Sequence, residues 1–97
     1  MKQLGEKLRI MRRMLELSQK DVAAILHIDR STYTYYELGK TEPPLETVVA
    51  LSNLFSISLD DLLKHQCSLE TFQILYHRKI AKMSWKKFEK EGDKHDI

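Results

Sequence analysis

The sequence predicts an all-α protein, with five short helices in the first two-thirds of the chain and a helical extension behind them. Three observations carry that expectation. Apolar residues recur at steps of three and four along most of the chain. Polar N-cap residues stand ahead of several of these stretches. Only three glycines and two prolines occur in 97 residues, too few turn-formers for a β architecture.

Leu4, Leu8, Met11 and Leu15 form the stripe of a first helix over about 2–15, and Lys7, Arg9 and Arg13 fall off it as a solvated face. Ser18 reads as the N-cap of a second helix, with Asp21 completing a capping-box-like pair. Val22, Ile25 and Leu26 are expected inward there, while Ala23 and Ala24 allow a neighbour to approach closely. A three-residue connection, His27-Ile28-Asp29, leads to a third helix over 30–38, capped by Asp29. Helical spacing assigns Tyr33 and Tyr36 to the core, and Gly39 stops the helix by accepting a left-handed conformation. Pro43-Pro44 opens a fourth helix, whose buried stripe is expected to be Leu45, Val48, Leu51, Leu54 and Phe55. Ser58 with Asp61 caps a fifth, with Leu59, Leu62 and Leu63 packing inward. Ser68 caps a last helix from Leu69 to about Lys90, and the polar end beyond it is expected to fray. The chain thus divides into a domain over 1–66 and a tail over 67–97.

A hydrophobic content of 42% and a charged content of 31% place the chain among soluble globular proteins. Cys67 stands alone, so no intramolecular disulfide can form, which fits a reducing compartment. With charges at Lys2, Glu6, Lys7, Arg9, Arg12 and Arg13 no apolar signal-peptide stretch is expected, and no run approaches the ~18 apolar residues of a membrane span. A cytoplasmic location with no membrane partner is the resulting expectation. The net charge of +2 is small, but its distribution is uneven. From Lys2 to Lys40 eight basic residues stand against five acids, net +3; from Thr41 to Gln66 one lysine stands against four acids, net −3. One face is therefore expected to turn toward a polyanion.

The informative stretch runs from Leu17 to Lys40. Two short helices joined by a three-residue turn make a helix-turn-helix, a rigid way to present one helix to the DNA major groove. Leu17-Ser18-Gln19, Val22-Ala23, Ser31-Thr32, the Glu37-x-Gly39-Lys40-x-x-Pro43 run and the leucine-rich segment from Leu54 to Leu63 occur in order. In these residues the chain resembles the lambda-repressor/Cro-like (Xre-type) family of DNA-binding regulators, over about residues 4–63. Two positions depart from the family pattern: His27 stands where a glycine is usual, and Leu38 replaces a more usual polar residue before the glycine.

The resemblance implies a five-helix lambda-repressor-like DNA-binding domain and assigns roles to residues. Arg30, Ser31, Thr34 and Tyr35 are implied to meet base edges, arginine being the commonest reader because its fork matches guanine. Gln19, Thr32, Lys40 and Thr41 are implied phosphate contacts. Arg12 and Glu37 are implied to form a partly buried ion pair between the first helix and the end of the third. His65, Cys67, His77 and His95 fit no dense zinc spacing, and no glycine-rich phosphate loop or nucleophile elbow occurs. No metal, cofactor or catalytic activity is expected.

The function implied is sequence-specific operator binding with the 30–38 helix in the major groove, as a repressor acting on double-stranded DNA. Two other readings stay open: an antitoxin whose tail wraps a toxin, and a protein-interaction module that has lost DNA binding. In the tail, Leu69, Phe72, Tyr76, Ile80 and Met83 form one apolar stripe, with Ile74, Trp85 and Phe88 opposite. The head already has an apolar set of its own, so these residues are expected to meet a partner tail in a homodimer. The alternative is that one face of the tail folds back on the head.

Overall fold

The computed structural model describes residues 2–64 and 68–95, with side chains described over 3–64 and 68–82. Six α-helices follow one another, and no strand occurs among the described residues. They are α1 (Lys2–Met14), α2 (Gln19–Leu26), α3 (Arg30–Leu38), α4 (Leu45–Leu54), α5 (Leu59–Leu63) and α6 (Leu69–His95). His65, Gln66 and Cys67, and the side chains of Met83, Trp85, Phe88 and His95, lie outside the described residues.

The first helix is the hub, and its sequence explains why. Successive residues advance by about 100° around a helix. Leu4, Leu8 and Met11 therefore share one side, and all three are buried. Gly5 and Arg12 fall together on one flank, toward α3, while Lys7 falls on the other, toward α5 and α6. At Gly5 the two helices meet backbone to backbone. A Cβ there would lie 2.4 Å from the Glu37 carbonyl oxygen and 2.5 Å from that of Tyr36.

Lys7 corrects an expectation. Helical spacing puts it on a solvated face, yet it is 2% exposed. Its ammonium donates to the carbonyl oxygens of Asp61 (2.9 Å), Leu62 (3.3 Å) and Lys64 (2.6 Å) at the end of α5. These are carbonyls that a helix terminus leaves without intrahelical partners. The same ammonium lies 5.1 Å from the centroid of the Phe72 ring. The edge of the α1 stripe looks solvated along the sequence, and α6 covers it in the fold.

Phe72 and Tyr76 of α6 join the same hydrophobic cluster as Leu8, Met11, Tyr33, Leu51, Phe55 and Leu62. The Tyr76 hydroxyl donates to the Phe55 carbonyl oxygen at 2.8 Å, just past the end of α4. Burial pushes that phenol up to about 12. The head therefore has no complete apolar set of its own. Part of the tail stripe fills its core, because α5 has only five residues and cannot cover the ends of α1 and α4 alone.

Other inward assignments are also corrected. Ile25, Leu59 and Leu63 are exposed, and so is Leu45 at 73%. In α2 the inward arc is set by Val22, Ala23 and Leu26, and Ile25 falls beyond its edge. Leu45 is the first residue of α4, one turn short of the core, and α5 is long enough to present only Leu62 inward. Pro44 stands at the N-cap of α4 rather than in its first turn. Asp29 stands at the N-cap of α3, but its side chain makes no capping hydrogen bond. Ser68 accepts from the Thr71 amide at 3.2 Å at the start of α6, which runs beyond the expected end near Lys90.

Candidate nucleic-acid interface

Two helix ends set the angle between α2 and α3. Ser18 Oγ accepts from the Asp21 amide at 3.0 Å, and the Ser18 amide donates to Asp21 Oδ2 at 2.9 Å. This reciprocal pair is a capping box, and the Ser18 backbone hydrogen bond holds the Asp21 carboxyl below its ordinary range. At its other end α2 stops at His27, in the left-handed conformation with φ 57°. The His27 amide donates to Ala24 and the Ile28 amide to Ala23, closing the helix. A non-glycine residue adopts that conformation at a steric cost, so the turn is held by these bonds and by Ile28 packing against the core.

The third helix is anchored from below by Tyr33 and Tyr36, both buried. Its opposite face carries Ser31 and Tyr35, both exposed, and Arg30 is exposed at its first position, while Thr32 and Thr34 are half-buried. Gly39, at φ 73°, ends the helix and turns the chain so that Lys40 and Thr41 emerge exposed beside it. The Lys40 ammonium lies 5.6 Å from the centroid of the Tyr35 ring, within cation–π range. A guanidinium, a hydroxyl and a phenol thus project from one rigid helix with a cation beside them.

Beneath this face lies a buried polar network. Arg12 Nε donates to Glu37 Oε2 at 2.6 Å and Arg12 Nη2 to Glu37 Oε1 at 3.1 Å, a two-point fork that joins α1 to α3. Arg12 Nη1 also donates to the Leu17 carbonyl oxygen at 3.0 Å. Burial by itself would raise the Glu37 carboxyl. The hydrogen bonds from Arg12 and Gln19 outweigh it and hold that carboxyl below its ordinary range. Its hydrogen bond to Glu37 in turn raises the Arg12 guanidinium. The Tyr33 hydroxyl is buried among these groups without a well-formed hydrogen bond, and burial, followed by Glu37, pushes its ionisation upward.

Gln19 ties the network to the surface. Its Nε2 donates to Glu37 Oε1 at 3.1 Å, and its Oε1 accepts from the Thr34 hydroxyl at 2.9 Å. That hydroxyl also lies 2.9 Å from the Arg30 carbonyl oxygen. Gln19, Thr34 and the Arg30 backbone are therefore brought together, with Arg12 and Glu37 below them. Sequence reasoning placed Gln19 and Thr34 in separate roles and missed their contact. The link joins two helices, and periodicity along either one carries no sign of it.

A family model described as Helix-turn-helix matches residues 8–62. Among curated proteins, the uncharacterized HTH-type transcriptional regulator YqaE of Bacillus subtilis (strain 168) is 41% identical over 69 residues, covering 71% of this chain and 60% of that protein. The SPbeta prophage-derived uncharacterized HTH-type transcriptional regulator YonR of the same organism is 45% identical over 60 residues, covering 62% and 56%. The HTH-type transcriptional activator BcrR of Enterococcus faecalis is 33% identical over 61 residues, covering 63% and 30%. The chain spans less than two-thirds of the length of each of these relatives. No solved structure matches it.

Proposed function

This chain belongs to the helix-turn-helix family, and on that premise we propose that it is a sequence-specific DNA-binding transcriptional repressor that lays α3 in the major groove of its operator. One observation carries the reading: Arg30, Ser31 and Tyr35 stand exposed on a helix that Tyr33 and Tyr36 lock from below. Arg30, near the start of that helix, is the principal base reader, with a fork that matches guanine O6 and N7. Gln19, Thr32, Lys40 and Thr41 flank the helix and contact phosphates, which fix register without reading sequence. Repression follows from occluding a promoter.

A two-fold dimer would bind half-sites about 34–36 Å apart. With Phe72 and Tyr76 committed to the head, the part of α6 left for a partner includes Ile74 and Leu75, which are 55% and 54% exposed. Sedimentation of the full chain beside an Ile74→Glu variant tests this. A dimer that becomes a monomer supports the interface, and an unchanged mass overturns it.

The experiment for the main reading is selection of bound duplexes from a random pool by the wild type and by Arg30→Ala. The variant should lose roughly 1–3 kcal/mol of specific affinity and relax the base preference at one position. An unchanged selected motif would overturn Arg30 as the reader.

A further inference from the structure

The Gln19 carboxamide is held at both ends by α3. Oxygen and nitrogen of such a group are told apart by their partners, and here one partner decides the matter. Glu37, kept ionised by Arg12, can only accept. The Gln19 nitrogen must therefore face Glu37, at 3.1 Å, and its oxygen must face Thr34, at 2.9 Å. Thr34 is thus the donor in that contact. Its hydroxyl also reaches the Arg30 carbonyl oxygen one turn back, the usual resting place of a helical threonine hydroxyl. The single hydroxyl hydrogen is divided between the two acceptors.

The Gln19 nitrogen carries two hydrogens, and Glu37 takes one. The second remains at the first turn of α2, which Gln19 opens, beside backbone amides that have no intrahelical partner.

We infer that Thr34 is a positioning residue, which holds the Gln19 carboxamide so that its second amide hydrogen is presented to a DNA phosphate. It does not read a base edge. The inference rests on Gln19 being a phosphate contact. Without the Thr34 hydroxyl, Gln19 is held on the Glu37 side alone, and binding must first order the amide.

Four proteins test this: Thr34→Val, which keeps the branched shape and removes the hydroxyl, Thr34→Ser, Gln19→Ala, and the Gln19→Ala/Thr34→Val double variant. Affinity is measured at fixed salt for the selected operator and for a scrambled duplex, with urea midpoints recorded alongside. Thr34→Val should weaken both duplexes alike, by about three- to tenfold, the size of one neutral hydrogen bond. Thr34→Ser should restore binding, and Thr34→Val should add nothing in the Gln19→Ala background. In the free protein, Thr34→Val should shift the Gln19 side-chain amide signals in a nitrogen–proton NMR spectrum. A changed base preference in Thr34→Val would make Thr34 a reader and overturn the inference. An equal loss with and without Gln19 would overturn it too. If Gln19→Ala leaves affinity unchanged, the phosphate reading of Gln19 itself falls. If Gln19→Ala weakens both duplexes and Thr34→Val weakens neither, only the positioning role falls.

Discussion

The Lys7 ammonium lies 2.6 Å from the Lys64 carbonyl oxygen, so a cation buried on the first helix closes the carboxyl end of the fifth. Lys7→Ala removes the donor and leaves the Asp61, Leu62 and Lys64 carbonyls to find other partners. Hydrogen bonds to charged groups contribute more than neutral ones, and the expected loss is about 2–4 kcal/mol in urea melts. Arg9→Ala and Arg13→Ala, at exposed positions of the same helix, should stay within about 0.5 kcal/mol of wild type.

Gly5→Ala should reverse the usual sign. In a solvated helix interior, glycine to alanine stabilises by about 1 kcal/mol. Here the new methyl would meet two backbone carbonyl oxygens of α3 at 2.4 and 2.5 Å, and neither can rotate away. Forcing α1 and α3 apart should cost about 3 kcal/mol or more. A thermal midpoint equal to or above wild type would show that the two helices do not touch there.

The Arg12–Glu37 fork should appear as a coupling energy. Each single substitution, Arg12→Ala or Glu37→Gln, is expected to cost about 3–5 kcal/mol, because the stranded partner keeps its burial and loses its bonds. The double variant should lose less than the sum of the two, and additive losses in urea melts would mean no pair.

The same carboxyl sets a pH dependence. Glu37 titrates below its ordinary value of 4.5 in the folded protein. Its contribution is therefore complete above that value and is lost as pH falls through the lower folded value. Wild type minus Glu37→Gln stability, plotted against pH, should be flat near neutrality and shrink on acidification below about 4.5. A difference that grows on acidification would contradict the depressed ionisation.

Phe72→Ala should destabilise the head although it lies on the tail. The ring is 5% exposed within the head's cluster, and truncating a buried phenylalanine costs about 3–5 kcal/mol. Chemical-shift changes in the free protein should reach Leu8, Phe55 and Leu62. Changes confined to α6 would mean that the tail folds apart from the head.

The order and type of the helices were legible in the sequence because the signals that set them are local. Ser18 and Asp21 are three residues apart and cap the same turn, Tyr33 and Tyr36 share a face by spacing alone, and Gly39 stops its helix by a property of its own backbone. The exposed face of α3 follows from the same periodicity, since burying Tyr33 and Tyr36 turns Ser31 and Tyr35 outward, while Arg30 is exposed at the first position of the helix. The family resemblance supplied Arg12 and Glu37 as partners, with no signal inside either helix to join them.

Only the tertiary structure decided what lies across helix boundaries. Lys7 reads as surface until the end of α5 and the Phe72 ring arrive over it. Gly5 reads as a weak point in a helix until the carbonyls of α3 come within reach of where a side chain would be. Phe72 and Tyr76 read as an unpartnered stripe until they fill the core that the short α5 leaves open, and Gln19 and Thr34 read as separate surface residues until their side chains meet. In each case spacing along one helix determines which residues share a side, while the neighbour on that side depends on how the helices pack. That packing is settled by volume, close approach and the satisfaction of buried polar groups, none of which is a property of a single segment.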